Sequence, residues 1–159
     1  MYDYKNKILN QKPSFSHSAL FDATSDVIND FYFSDGIIKK LKLPLTPIQL
    51  LKNEPLNENS LTTMKIWMGP FPIIWEAQHV EVSKENGFTD IQLKGPMKLW
   101  IHRHNIIKIN DKQCLIEDKI WLEHHQGFKG IFSKLFFSKI SLLILFKYRT
   151  WITKKEIKI

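Results

Sequence analysis

The stretch FTDIQLKGPMKLWIHRHNIIKINDKQCLIEDKIWLE, residues 88–123, decides how the rest of the chain is read. Its side chains alternate in character, and two turn signals, Gly95-Pro96 and Asn110-Asp111, divide it into three strands. The tight turn at Asn110-Asp111 makes 97–109 and 113–123 a hairpin whose facing residues sum to about 222 in number. His104 then stands opposite Asp118, His102 opposite Ile120, and Trp100 opposite Leu122. Period two places Trp100, His102, His104 and Ile106 on one face, together with Asp118, Ile120 and Leu122. Most of that face is apolar, so it is expected to point inward, leaving Arg103 and Lys119 toward solvent.

The same alternation extends toward the N-terminus. Residues 47–51, 61–68 and 71–82 read as strands, separated by turn signals at 53–59, Gly69-Pro70 and Glu85-Asn86-Gly87. An earlier strand is expected over 14–22. Asp22-Ala23-Thr24-Ser25 then starts a short helix carrying Val27, Ile28, Phe31 and Tyr32 at helical spacing. A second short helix falls at 36–41, closed by Pro44. Residues 130–155 contain neither Gly internally nor Pro, which predicts one long terminal helix. Short connections imply an antiparallel meander. The expected fold is therefore α+β, with a curved antiparallel sheet, two short helices, and a long C-terminal helix to cover the sheet. No repeat or linker divides the chain, so one domain over 1–159 is expected, with 1–12 as a flexible arm.

Trp75, then Phe88-x-Asp90-x-Gln92-x-x-Gly95-Pro96-x-x-x-Trp100-x-His102-x-His104-x-Ile106, then Asp118-x-Ile120-x-Leu122, resembles the ligand-binding SRPBCC proteins of the START superfamily. Phe146-x-Tyr148-Arg149 in the closing helix fits the same group, and the resemblance spans nearly the whole chain. It departs at Ile106 and Leu122, where members of the family usually carry an aromatic. The resemblance implies a helix-grip fold and a cavity of the kind found in polyketide cyclase/dehydrase-like and lipid-transfer proteins. It implies no reaction.

On that basis the ligand site is expected to comprise Trp75, His79, Trp100, His102, His104, Asp118, Ile120 and Leu122, with Phe136 and Leu143 from the helix. The expected function is binding or transport of a hydrophobic small molecule, such as a lipid, isoprenoid or polyketide, with the histidine pair meeting its one polar end. Two alternatives stand beside it. A cyclase or dehydratase would use His104, Asp118 and His102 as acid and base. An interaction module would have a cavity filled by its own side chains. His104–Asp118 is equally readable as a buried histidine with the partner that any buried polar group needs. No metal or cofactor is expected: His102-x-His104 is a legitimate ligand pair and His79 or His17 could add a third, but no carboxylate cluster completes the set.

The chain has one cysteine, Cys114, which excludes an internal disulfide, and 43% of its residues are hydrophobic. With a polar segment at 1–12 lacking a signal-peptide core, a cytoplasmic location is expected. The net charge of +7 is unevenly placed. Residues 1–126 are balanced, whereas 127–159 carry seven lysines and Arg149 against Glu156 alone. A neutral sheet region argues against nucleic acid as a partner. The terminal helix is apolar almost all round, although one face suffices to cover a sheet. Its outer side is expected to meet neighbouring loops, an anionic membrane surface, or a second copy of the chain.

Overall fold

The computed structural model describes residues 4–158. The chain runs α1 (Tyr4–Asn10), β1 (Phe15–Phe21), α2 (Ser25–Tyr32), α3 (Ile37–Leu41), β2 (Ile48–Asn53), β3 (Leu61–Met68), β4 (Phe71–Ser83), β5 (Gly87–Lys94), β6 (Leu99–Lys108), β7 (Cys114–Glu123), α4 (Gly127–Phe136) and α5 (Lys139–Glu156). The strands form one antiparallel sheet in the order β1-β7-β6-β5-β4-β3-β2. Consecutive hairpins build the meander, and β1 returns to pair with β7. This is the α+β helix-grip architecture expected, with a curved sheet wrapped around terminal helical structure.

Local chemistry explains the elements. Thr24 caps α2 by accepting a hydrogen bond from the Val27 amide, and the helix buries Ile28, Phe31 and Tyr32. These pack with Phe21, Leu41, Ile106, Cys114 and Ile116 into one core cluster. The β6–β7 hairpin has the register expected: Trp100 pairs with Leu122, His102 with Ile120 and His104 with Asp118. At the start of β5, Gly87 has φ +99°, and a Cβ there would meet the His104 carbonyl oxygen at 2.0 Å. Only glycine lets the two backbones approach this closely, so Gly87 fixes the position of β6 at His104.

Three expectations need correction. The long helix over 130–155 is two helices, α4 and α5, broken at Phe137-Ser138. Ser138 caps α5 by accepting from the Ser141 amide at 3.2 Å. The break drops Phe137 onto the sheet, 5.8 Å from both Trp75 and Trp100 between ring centroids. Second, the arm expected over 1–12 contains helix α1, with residues 1–3 outside the described residues. Tyr4 and Ile8, one helical turn apart, pack on Leu99, Ile101 and Trp121 of the convex sheet face. Lys7 pairs with Glu123 at 2.5 Å, and Trp121 Nε1 donates to the Gln11 carbonyl at 2.8 Å.

The third correction concerns the outer side of the terminal helices, which neighbouring loops do not cover. Phe128, Ile131 and Leu135 on α4, and Ile140, Ile144 and Trp151 on α5, are each more than half exposed. No helix among the described residues is long and apolar enough to cross a membrane.

Candidate functional site

Helices α4 and α5 lie across the concave face of the sheet without filling it. A cavity of about 830 Å³ remains between them. Its wall includes Met64, Ile66, Trp75, Trp100, Phe136, Phe137, Leu142 and Phe146, and its polar end is made by His79, Asp90, His102, His104 and Arg149. Trp75 and Trp100 meet edge to face, with ring centroids 5.3 Å apart, a favourable aromatic arrangement.

The polar end is a connected set of imidazoles and carboxylates. Asp118, on β7 behind the cavity wall, has Oδ1 3.1 Å from His102 Nε2 and 2.7 Å from His104 Nδ1. The first contact is a hydrogen bond. The second lies off the N–H direction, leaving His104 Nδ1 close to a carboxylate without a well-formed bond. On the cavity side, Asp90 Oδ2 faces His102 Nδ1 at 3.9 Å and His104 Nε2 at 3.8 Å. Asp90 Oδ1 lies 3.3 Å from His79 Nε2. His79 Nδ1 in turn bonds Ser60, 3.1 Å from its hydroxyl and 3.2 Å from its carbonyl. All of these side chains are buried except Asp90, which is partly exposed to the cavity.

Electrostatics divides the two central histidines. Burial and the neighbouring His104 lower the His102 pKa to about 4, despite its bond to Asp118. Burial opposes charge on His104 as well, but Asp118 and Asp90 outweigh it and raise that pKa to about 9. Burial works against charge on both carboxylates; the facing imidazoles overcome it, and Asp90 and Asp118 are held below the ordinary carboxylate range. Beside them, burial raises the pKa of Tyr32, whose ring lies 6.0 Å from that of His104.

The structure places the expected site residues unevenly. Trp75, His79, Trp100, His102, His104 and Phe136 line the cavity. Asp118 sits behind the histidines it contacts. Ile120 is wholly buried and Leu122 half-buried in the packing beneath Trp100. Leu143 is 41% exposed and faces away; the break at Phe137-Ser138 rotates α5 so that Leu142, Phe146 and Arg149 point inward instead. His17, on β1 opposite Asp118, stacks near Phe146 at 5.9 Å and stands outside the donor group.

Asp90 is the residue that the chemical reading of the sequence missed, and it supplies the carboxylate expected to be lacking. Its signal was available. The register arithmetic that pairs His104 with Asp118, carried across the Gly95-Pro96 turn, pairs Asp90 with His102 and Phe88 with His104, as observed. Arg149 is the other omission. It lies against the Phe146 ring at 5.4 Å, and its buried Nε has no hydrogen-bond partner.

A sheet that grips helical structure around a cavity defines the START/SRPBCC-like helix-grip fold, and this chain has that fold. A norcoclaurine synthase from Thalictrum flavum, in complex with dopamine and hydroxybenzaldehyde, is similar at TM-score 0.63 and 16% identity over 91% of this chain and 86% of that one. A START superfamily protein from Mycobacterium smegmatis is similar at TM-score 0.65 and 9% identity, covering 90% of this chain and 95% of that one. An aromatase/cyclase from a Streptomyces species is similar at TM-score 0.62 and 8% identity, covering 90% and 92%. No family model and no curated protein sequence matches the chain.

Proposed function

We propose that this protein binds or carries a hydrophobic small molecule, of lipid, isoprenoid or polyketide-like character, between its sheet and helices α4 and α5. The observation that carries the reading is the cavity of about 830 Å³, aromatic and aliphatic along most of its wall and polar at one end. A concave apolar site with a few converging polar groups is the usual form of a small-molecule site. The apolar body of the cargo lies against Trp75, Trp100 and Phe137, and its single polar group meets His79, Asp90, His102 and His104. The unfilled volume weighs against an interaction module packed with its own side chains. Native mass spectrometry of the purified protein, followed by solvent extraction, tests the proposal. A defined co-purifying or added lipid-like adduct supports it; a clean unliganded mass after soaking with fatty acids, isoprenoids and flavonoids overturns it.

A second reading concerns uptake, and the exposed apolar row on α4 and α5 favours it. On α5 the face that carries Ile140, Ile144 and Trp151 also carries Lys147 and Lys155, and Lys155 Nζ lies 5.5 Å from the Trp151 ring. On α4, Lys129 and Lys134 flank Phe128, Ile131 and Leu135. Bulky apolar groups among exposed lysines fit an anionic membrane surface, where each lysine contributes about 1 kcal/mol. The helices that form the cavity lid would then rest on the phase that holds the cargo. Co-sedimentation with anionic vesicles at low salt supports this reading; equal recovery with neutral and anionic vesicles overturns it.

A further inference from the structure

The concave floor assembles more donor atoms than recognition of one polar group requires. Asp118 engages one nitrogen of each central histidine, His102 Nε2 and His104 Nδ1. The opposite nitrogens, His102 Nδ1 and His104 Nε2, both turn toward Asp90 Oδ2, at 3.9 and 3.8 Å. Those gaps are too long for hydrogen bonds. They resemble instead the spacing of atoms arranged around something between them. One donor atom each from Asp90, His102 and His104 can be chosen with all three within 4.8 Å of one another. Asp90 Oδ1, the other oxygen of that carboxylate, is buried without a hydrogen bond and lies 3.3 Å from His79 Nε2.

From this arrangement we propose that Asp90, His102 and His104 hold a divalent transition-metal ion, zinc or ferrous iron, at the polar end of the cavity, with Asp118 orienting both imidazoles from behind. Two imidazoles and a carboxylate are an ordinary donor set for these ions when coordination positions are left open for other ligands. Here the open positions face the cavity. Donors bind such ions at about 2.0–2.2 Å, so each side chain draws in by roughly half an ångström, the scale of a small rotation. A carboxylate bonded to the far nitrogen of a metal-bound histidine fixes its tautomer and makes it a better ligand; Asp118 does this for His102 and lies 2.7 Å from the corresponding nitrogen of His104. A dication also offsets the charge of buried Asp118 and of Asp90 at the cavity edge, which is costly to leave uncompensated.

The site shares the cavity of the proposed cargo but does not depend on a cargo, since the metal alone is the probe. Protein stripped with a chelator is titrated with Zn²⁺ against a chromophoric competitor, and with Co²⁺ as a spectroscopic reporter. One equivalent per chain is expected, with visible Co²⁺ absorption of a low-coordinate nitrogen and oxygen site. Asp90→Asn, isosteric and close to the cavity, weakens binding by about 100-fold or more while a cooperative urea unfolding transition shows that the variant is folded. Asp118→Asn weakens binding by roughly 10–100-fold, the usual scale for a group that orients a metal ligand. His124→Ala, outside the cluster, leaves affinity unchanged. Absence of stoichiometric Zn²⁺ and Co²⁺ binding by the folded protein overturns the proposal and leaves the cluster as an ion-pair network charged by a proton. Wild-type affinity in a folded Asp90→Asn variant overturns it equally.

Discussion

Strands β6 and β7 present two faces built on one backbone, and the two obey different rules. On the convex face Leu99, Ile101 and Trp121 are buried beneath Tyr4 and Ile8 of α1. The charged side chains of that face, Arg103, Glu117, Lys119 and Glu123, stay partly exposed. On the concave face the same hairpin buries His102, His104 and Asp118 beside a cavity that its neighbours leave unfilled. Burying charge is costly even when it is paired, and well-packed apolar residues of similar volume are often as stabilising. A hairpin shaped for stability alone would resemble the convex face on both sides. The difference is what the proposed cargo and metal sites on the concave side would require.

Ile101→Ala gives the sharpest contrast. Ile101 is fully buried on the convex face, and its truncation is expected to cost about 3–4 kcal/mol through lost burial and a residual cavity. Urea unfolding measures that loss, while metal and cargo binding by the folded fraction stay at wild type. A change in either binding would show that the two faces are not separable. Asp118→Ala follows at about 3 kcal/mol, the low end for breaking a buried ion pair, because Asp90 still faces His104. Unlike Ile101→Ala, it also weakens metal binding.

Much of this organisation was legible before any coordinates. The turn at Asn110-Asp111 is short enough to pin the β6–β7 register, so one alternation pattern placed His104 opposite Asp118 and assigned both to the interior. Asp90 was harder to see, because residues 95–98 stand between β5 and β6 and loosen the arithmetic there. The helix break was hidden for a different reason. Residues 130–155 hold no Pro and no internal Gly, and the stop signal is instead a start signal: Ser138 with Ser141 caps a new helix. Without the break the phase of α5 is misassigned, which turns Leu143 inward on paper in place of Leu142 and Phe146. The N-terminal helix was missed because it has only Tyr4 and Ile8 as an apolar stripe, and seven residues are too few to signal a helix on their own.

Replacing both members of the buried pair tests whether the concave polar groups serve stability at all. His104→Leu combined with Asp118→Leu removes the closest ion pair together and leaves buried His102 Nε2 as the one group that loses its Asp118 partner. Net stability is expected to fall by no more than about 1–3 kcal/mol, the cost of one unpaired buried donor, with metal binding lost. A denaturation curve and a Co²⁺ spectrum on the same sample check both halves. If the double variant is several kcal/mol less stable than wild type, the concave cluster is structural, and the contrast between the faces disappears.

The smallest expected effect lies on the outer side of the lid. Ile131→Ser, Ile140→Ser and Ile144→Ser alter side chains already 58–72% exposed, so little burial is lost and each change should stay within about 0.5 kcal/mol in stability. The same three changes remove apolar groups that stand among Lys129, Lys134, Lys139 and Lys147. If α4 and α5 rest on an anionic surface, the triple variant is recovered several-fold less with anionic vesicles, while cargo binding in solution is unaltered. A measurable stability loss would mean that these residues are covered in the free protein, by a second copy, and sedimentation equilibrium would then show a dimer that the variant dissociates. Unchanged vesicle binding with unchanged stability would assign the attraction to the lysines alone, and raising the salt concentration should then abolish it, because exposed charges are screened within about 10 Å at 0.1 M ionic strength.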